Sequence, residues 1–273
     1  MTTFFERLLE DDTGFGDITS EIAIPEDLDA HSRVIAKEEG LVAGLKYLTG
    51  YVEKLGLNVI LLKKDGESVK KGEVIALIDG NARKILLIER TFLNILGRMS
   101  GIATATRRVV DKAKNVNPNV RIAATRKTLL GQLDKIAVII GGGDPHRWSL
   151  SDHILIKDSH IALVGLEEAV RRAKRTSFIR KIEVEVEKVD DTIKAVNLGV
   201  DIVLLDNFKP EQVFKAIKLL KSRGLRKKIL IEVSGGINEE NVADYARYDV
   251  DIISMGSLTH SVKSMDFSME TGL

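Results

Sequence analysis

The chain has 273 residues, a formal net charge of +1, 44% apolar and 30% charged residues, and no cysteine. These values describe a globular protein with a sizeable core, and they exclude intrinsic disorder, a disulfide framework, a cysteine-zinc site and a cysteine nucleophile. The near-neutral balance supplies no global field toward nucleic acid or anionic lipid, and no apolar run reaches the roughly 18 residues that a spanning helix needs.

The opening segment, MTTFFERLLEDD, carries early acids and lacks a basic start followed by an apolar stretch. It does not read as a secretory signal, and the chain is expected to be cytoplasmic. RVIAKEEGLVAG (33–44) predicts a strand ending at Gly40 and Gly44. NVILLKKDGESVKKGEVIALIDG (58–80) alternates β-rich runs with Asp-Gly and Lys-Gly turns. Residues 82–112 then carry Ile85, Ile88, Phe92, Ile95, Leu96 and Met99 at three- to four-residue spacing. That spacing predicts one long helix, with a bend expected at Gly97 or Gly101.

After residue 118 strands and helices alternate. Six near-continuous apolar runs read as parallel strands buried on both faces: 120–125, 153–157, 181–186, 201–206, 228–234 and 251–256. The clearest helix follows Lys209, with Pro210 at its first position and Gly224 past its end. The expected fold is α/β, with a β/α barrel of fewer than eight strands. No glycine-rich dinucleotide fingerprint follows the first of these strands, which disfavours an open doubly wound sheet.

Barrel chemistry gathers where strands end. Here the ends carry Arg126 and Lys127, then Lys157, then Glu185, then Asp206, then Ser234, Gly235 and Gly236, then Ser254, Gly256 and Ser257. Arg126, Lys127, Arg147, His146 and Lys157 form a local cationic set suited to a small polyanion, and Arg90 on the long helix is a candidate to join it. A glycine-rich loop, 141–143, delivers His146 and Arg147. Glu183 and Glu185 alternate, so both face one side of their strand, where carboxylates need cations or a metal. Glu185 and Asp206 suit Mg²⁺ or ribose hydroxyls. The small residues after the last two strands let backbone N–H groups approach a phosphate. His31 reads as a surface residue, His153 receives no role, and His160 and His260 lie near the mouth.

TRKT (125–128), GGG with HR (141–147), LIKDSHI (155–161), IEVEVE (182–187), LLDN (204–207), EVSGGI (232–237) and SMGSLTHS (254–261) occur in an order and spacing that resemble quinolinate phosphoribosyltransferases. GDITS (16–20), EGLVAGL (39–45), DGESVKKGE (65–73) and ERTFLNILGRMSGIAT (89–104) extend the resemblance over nearly the whole chain. It implies an N-terminal α/β sandwich domain over 1–105 and an incomplete, about seven-stranded barrel over 106–264, and the alternation of the tail, 265–273, independently predicts a final strand returning to the first domain. It implies transfer of the phosphoribosyl group of 5-phosphoribosyl 1-pyrophosphate (PRPP) to quinolinate with loss of CO₂, in de novo NAD biosynthesis, with Mg²⁺ as cofactor. It further implies a homodimer whose active site is shared, with Arg90 crossing to the other subunit. Arg90, Arg126, Lys127, His146 and Arg147 would hold quinolinate. Lys157, Glu185 and Asp206 would be catalytic, with the last two available to the metal. Lys157, Ser234–Gly236, Ser254, Gly256 and Ser257 would hold PRPP phosphates.

The chain departs from the family pattern at Ala124, Leu129, Leu130, Pro145 and Ser159, which flank the expected acid pocket. The competing readings are a phosphoribosyltransferase for another aromatic acid such as nicotinate, an activity like that of the pyrophosphorylase-like proteins of molybdate operons, and a non-catalytic anion-binding scaffold. The DGESVKKGE hairpin also resembles biotinyl or lipoyl carriers, but no matching second hairpin presents a modifiable lysine.

Overall fold

The computed structural model describes residues 4–273. The chain divides into two compact units: one runs to Ala105 and takes in Val262–Leu273, and the other is Thr106–Ser261. No helix among the described residues is long and apolar enough to cross a membrane.

The first unit opens with α1 (Phe4–Thr13) and α2 (Ile18–Ala23). Then come β1 (Asp29–Ala36), β2 (Gly40–Leu41), α3 (Leu45–Lys54), β3 (Asn58–Leu61), β4 (Ser68–Val69) and β5 (Val74–Asn81). Helix α4 (Ala82–Lys114) follows without a break and continues past the unit boundary. β1 sits centrally in an antiparallel sheet, between β5 and the chain's last strand, with β3 outside β5. β2 and β4 form a separate two-stranded ladder. The DGESVKKGE segment contains two successive turns of one design. Glu67 accepts from the Lys64 N–H at 2.8 Å, and Glu73 accepts from the Lys70 N–H at 2.9 Å. Asp65, in the first turn, accepts from the N–H groups of Gly44 and Leu45, which satisfies orphan donors at the start of α3. Turn closure and helix capping thus account for the residues that suggested a carrier hairpin.

The expected bend in α4 has a different explanation. Gly97 and Gly101 face the chain's returning tail. A Cβ on Gly97 would lie 2.6 Å from the Met265 carbonyl oxygen, and one on Gly101 would lie 2.2 Å from that of Lys263. These glycines let two backbones approach, and the helix runs through them unbroken.

The second unit builds β6 (Arg121–Ala124), α5 (Gln132–Ile140), β7 (Ile154–Ile156), α6 (Asp158–Val164), α7 (Leu166–Thr176) and β8 (Ile182–Val186). It continues with α8 (Val189–Asn197), β9 (Ile202–Asp206), α9 (Pro210–Ser222), β10 (Leu230–Ser234), α10 (Val242–Ala246), β11 (Ile252–Met255) and α11 (Ser257–His260). The last strand, β12 (Phe267–Gly272), belongs to the first unit and pairs antiparallel with β1. The six apolar runs form one parallel sheet in the order β6-β11-β10-β9-β8-β7. Asp144 adds a single parallel bridge to Ala123 on the free side of β6. The barrel is therefore incomplete: six regular strands, with a one-residue bridge in a seventh place.

Alternation assigns each side chain. Ile182, Val184 and Val186 of β8, Val203 and Leu205 of β9, and Ile231 and Val233 of β10 join the core that the helices cover. Val170, Ile193, Val213 and Ile217 pack there from α7, α8 and α9. The intervening residues, including Glu183, Leu204 and Glu232, point the other way.

Gly101→Ala is expected to destabilise the protein by more than about 2 kcal/mol, because the Lys263 backbone cannot yield as a flexible side chain would. Gly50→Ala, on α3 with nothing within 4 Å of the added carbon, is expected to add about 0.5–1 kcal/mol. Urea unfolding of both variants checks the pair.

Candidate active site

The inward-facing residues line a cavity of about 650 Å³ at the C-terminal ends of the strands. They alternate along every strand that supplies one: Leu155 and Lys157, Glu185 alone after β8's buried Glu183, Leu204 and Asp206, Glu232 and Ser234, Ser254 and Gly256. Arg126, Lys127, His146 and Arg147 complete a cationic wall.

The loop bearing His146 and Arg147 is fastened at several points. Asp144 donates its N–H to the Ile122 carbonyl at 2.7 Å, and its own carbonyl accepts from the Ala124 N–H at 3.0 Å. The Asp144 carboxylate accepts from the His146 N–H at 2.7 Å. His146 takes φ = 56°, a left-handed conformation that a non-glycine residue holds only when its surroundings impose it. Lys135 is 2% exposed, and its ammonium donates to the carbonyls of Ala124, at 2.7 Å, and Pro145, at 2.5 Å. Burial pulls its pKa down to about 8. One buried lysine thus joins the end of β6 to the loop. Arg147 is buried, and burial, reinforced by the charge of Arg126, lowers its pKa. An anion between these guanidiniums relieves both costs.

The other wall is acidic. Glu185 is half-buried, and its carboxyl is pushed up by burial and then by the charge of Asp206, while Lys157 pulls it back. Asp206 is raised by burial and then by Glu187, with Lys157 and Lys127 opposing. Asn207 orients Asp206 by donating from Nδ2 to Oδ2 at 2.7 Å. Asn207 itself sits at φ = 55° and donates its N–H to the Ser234 carbonyl at 2.9 Å. Gly235 makes this possible: at φ = 95°, a Cβ there would lie 2.2 Å from Asn207 Oδ1.

Glu232, on the cavity lining, and Glu183, outside it, are both fully buried. Glu183 meets the Nε2 of His153 at 2.6 Å, and Glu232 meets the Nε2 of His146 at 3.0 Å. Glu183, expected inside the barrel, and Glu232 are therefore each met by an imidazole.

Of the sequence-derived candidates, Arg126, Lys127, His146, Arg147, Lys157, Glu185, Asp206, Ser234, Gly235, Gly236, Ser254, Gly256 and Ser257 all line this one cavity. Arg90 does not; it lies exposed on α4 in the first unit, with Glu89 4.0 Å away. His260 lines the cavity, whereas His160 accepts the Lys157 N–H and starts α6, and His31 bonds Asp79 on the surface. Sequence reasoning missed Glu232, His153, Lys135 and Asn207. Glu232 was signalled by its place two residues before Ser234 in an apolar strand, and His153 by the same spacing from Leu155. Lys135 carried no such signal.

The departures Ala124, Leu129, Leu130, Pro145 and Ser159 stay off the cavity lining. Ala124 is core, the N–H groups of Leu129 and Leu130 are taken by Asp134, and Ser159 caps locally onto Asp158.

A cavity with one cationic wall and one carboxylate wall at the strand ends of a β/α barrel defines an enzyme for a multiply anionic small molecule. Residues 17–100 match the quinolinate phosphoribosyl transferase N-terminal domain, and residues 102–270 match the C-terminal domain of that family. The chain belongs to the quinolinate phosphoribosyl transferase family. It is 50% identical, over 97% of its own length and 95% of the other's, to a Methanocaldococcus jannaschii protein named "Probable nicotinate-nucleotide pyrophosphorylase (carboxylating)". It is 35% identical to the human nicotinate-nucleotide pyrophosphorylase (carboxylating), over 86% of this chain and 80% of that one. The structure of the nicotinate-nucleotide pyrophosphorylase from Francisella tularensis superposes with a TM-score of 0.89 at 34% identity, covering 99% of this chain and 95% of that one.

Lys135→Met removes both ties between β6 and the loop. It is expected to cost about 1–3 kcal/mol, the penalty for stranding buried carbonyls, and to lower the thermal unfolding midpoint.

Proposed function

We propose that the chain is a carboxylating nicotinate-nucleotide pyrophosphorylase, joining quinolinate to PRPP and giving nicotinate mononucleotide, pyrophosphate and CO₂ in NAD biosynthesis. The observation that carries this reading is the single cavity that collects a cationic wall, a carboxylate pair and two small-residue strand ends. The departures from the family pattern leave that lining untouched, which favours quinolinate over another aromatic acid.

Quinolinate carries two carboxylates on adjacent ring carbons. Arg126, Arg147, His146 and Lys127 supply charge-assisted hydrogen bonds to them, and each guanidinium offers a two-pronged fork. As pyrophosphate leaves the ribose C1, negative charge grows on it and positive charge on the sugar. Lys157 stabilises the departing pyrophosphate. Glu185 and Asp206 accept hydrogen bonds from ribose hydroxyls and favour the cationic sugar. The backbone at Ser234–Gly236 and Ser254–Ser257 holds the 5-phosphate. Once the ring nitrogen bonds to C1, the pyridinium takes up the electron pair of the breaking C–CO₂ bond, and a proton replaces CO₂ on the ring. The residues fit Mg²⁺: two half-buried carboxylates offer hard oxygen donors, and burial, followed by the charge of Asp206, raises Glu185, a cost that a cation would relieve. Glu185 and Asp206 would hold the ion, which would supply charge neutralisation to pyrophosphate.

The functional form in this reading is a homodimer in which Arg90 of one copy completes the cavity of the other. Its support is an arginine side chain 65% exposed that meets only the neighbouring Glu89 among the described residues.

The test is an assay with PRPP, Mg²⁺ and quinolinate, following CO₂ and mononucleotide, with nicotinate in parallel. Equal yields of CO₂ and mononucleotide from quinolinate are expected. Turnover of nicotinate alone would reassign the acid pocket, and silence with both would leave only a binding scaffold. Lys157→Ala is expected to lower kcat by about 100-fold or more. Arg126→Lys is expected to raise the quinolinate KM about tenfold while leaving that of PRPP nearly unchanged, because the fork is lost and the charge kept.

A further inference from the structure

His146 lines the cavity beside the buried acids of the barrel. Its Nε2 lies 3.0 Å from Glu232 Oε2 and 3.6 Å from Glu183 Oε2. Its Nδ1 has no protein partner among the described residues, and the ring lines the cavity. The second oxygens of both acids, Glu183 Oε1 and Glu232 Oε1, are buried without a hydrogen bond. Two acids so poorly hydrated cannot stay ionised without adjacent cations. His153 faces Glu183 at 2.6 Å and packs edge-on to His146 at 5.1 Å between ring centroids. That leaves His146 as the cation nearest Glu232. The strained backbone at φ = 56° and the Asp144 clamp hold the ring in this inward position.

The tautomer follows from the same contacts. A neutral His146 that donates Nε2–H to Glu232 carries a bare lone pair on Nδ1, which repels a carboxylate. Only the imidazolium donates to Glu232 on one side and to an anion in the cavity on the other. We infer that Glu232 is a positioning residue for acid recognition: it fixes the His146 ring and keeps it an imidazolium, so that Nδ1–H is offered to a carboxylate of the pyridine dicarboxylate. This rests on the transferase reading above.

The groups facing His146 support the sign. Burial pulls its pKa down, but the hydrogen bond and charge of Glu232, with Glu183 behind it, outweigh burial and the opposing charge of Lys135, and the net direction is up. Arg147 follows it in sequence, Asp144 lies two residues before it, and His153 meets its ring edge. Affinity for the dicarboxylate is therefore highest where His146 is charged and the ligand carboxylates are still ionised, and it falls as pH rises through the raised pKa. PRPP affinity has no share in this change.

The experiment is quinolinate binding by calorimetry as a function of pH, beside NMR titration of the His146 ring, assigned from its loss in His146→Asn. In Glu232→Gln, the midpoint of both is expected to fall by about one pH unit or more, which makes quinolinate about threefold weaker midway between the two midpoints and about tenfold weaker above both. PRPP affinity is expected to change less than about twofold, since one electrostatic contact to the other ligand is removed. An unchanged His146 midpoint and unchanged quinolinate affinity in Glu232→Gln would overturn the inference. So would a wild-type His146 that titrates at or below the ordinary imidazole range, a result that stands even where Glu232→Gln fails to fold. Absence of quinolinate binding by the wild type would strike the transferase reading instead, and the NMR midpoints would still report the Glu232–His146 bond.

Discussion

A parallel strand buried on both faces sends alternate side chains into two different environments. In this protein one environment is an apolar layer under helices, and the other is the inside of an open barrel. Everything functional follows from that division. Val184 and Glu185 are neighbours in sequence, yet one is core and the other lines a cavity. The same step separates Leu205 from Asp206, and Val233 from Ser234. A one-residue slip of any strand would exchange the two sets, burying acids against helices and opening apolar groups to the ligand. Register therefore protects the fold and the chemistry together.

The barrel interior also shows how charge is made tolerable away from water. Glu183 and Glu232 meet histidines, and Lys135 meets backbone carbonyls. At the opposite ends of the strands, Arg226 is buried against Asp251, Asp249 and the Ile229 carbonyl. The two solutions differ in purpose. Arg226 has its donors consumed by the protein, so its region is structural. The cavity end keeps Arg126, Lys127 and Lys157 without protein acceptors for their charged heads among the described residues, which leaves that binding capacity for an anionic ligand.

Legibility in the sequence tracked the range of the interaction. The six parallel strands were readable because burial on both faces writes an apolar run into the chain. The cavity residues were readable because they lie at the ends of those runs. Lys135 was not, because its role depends on two carbonyls that come together only when the loop at Asp144 pairs with β6. Gly97 and Gly101 were read as a weak point in a helix, since a sequence window cannot show a tail more than 160 residues away. Glu232 was visible but unread: an acid alternating with Ser234 in an apolar strand carries the same signature as Glu183. The departures at Ala124 and Pro145 looked like changes of substrate, yet Ala124 is core and Pro145 contributes only a carbonyl to Lys135.

The tail has a consequence for how the chain acquires its shape. β12 pairs with β1 along six residues, from His31 opposite Gly272 to Ala36 opposite Phe267. The first unit is thus discontinuous, closed by residues synthesised after the second unit, while Thr106–Ser261 is uninterrupted. On a ribosome the usual order is reversed: the barrel is the unit whose sequence is complete first. Until Phe267–Gly272 arrives, one edge of β1 stays unpaired, a template for any other extended chain. Nascent chains stalled short of the last strand are the ones that must be shielded from one another.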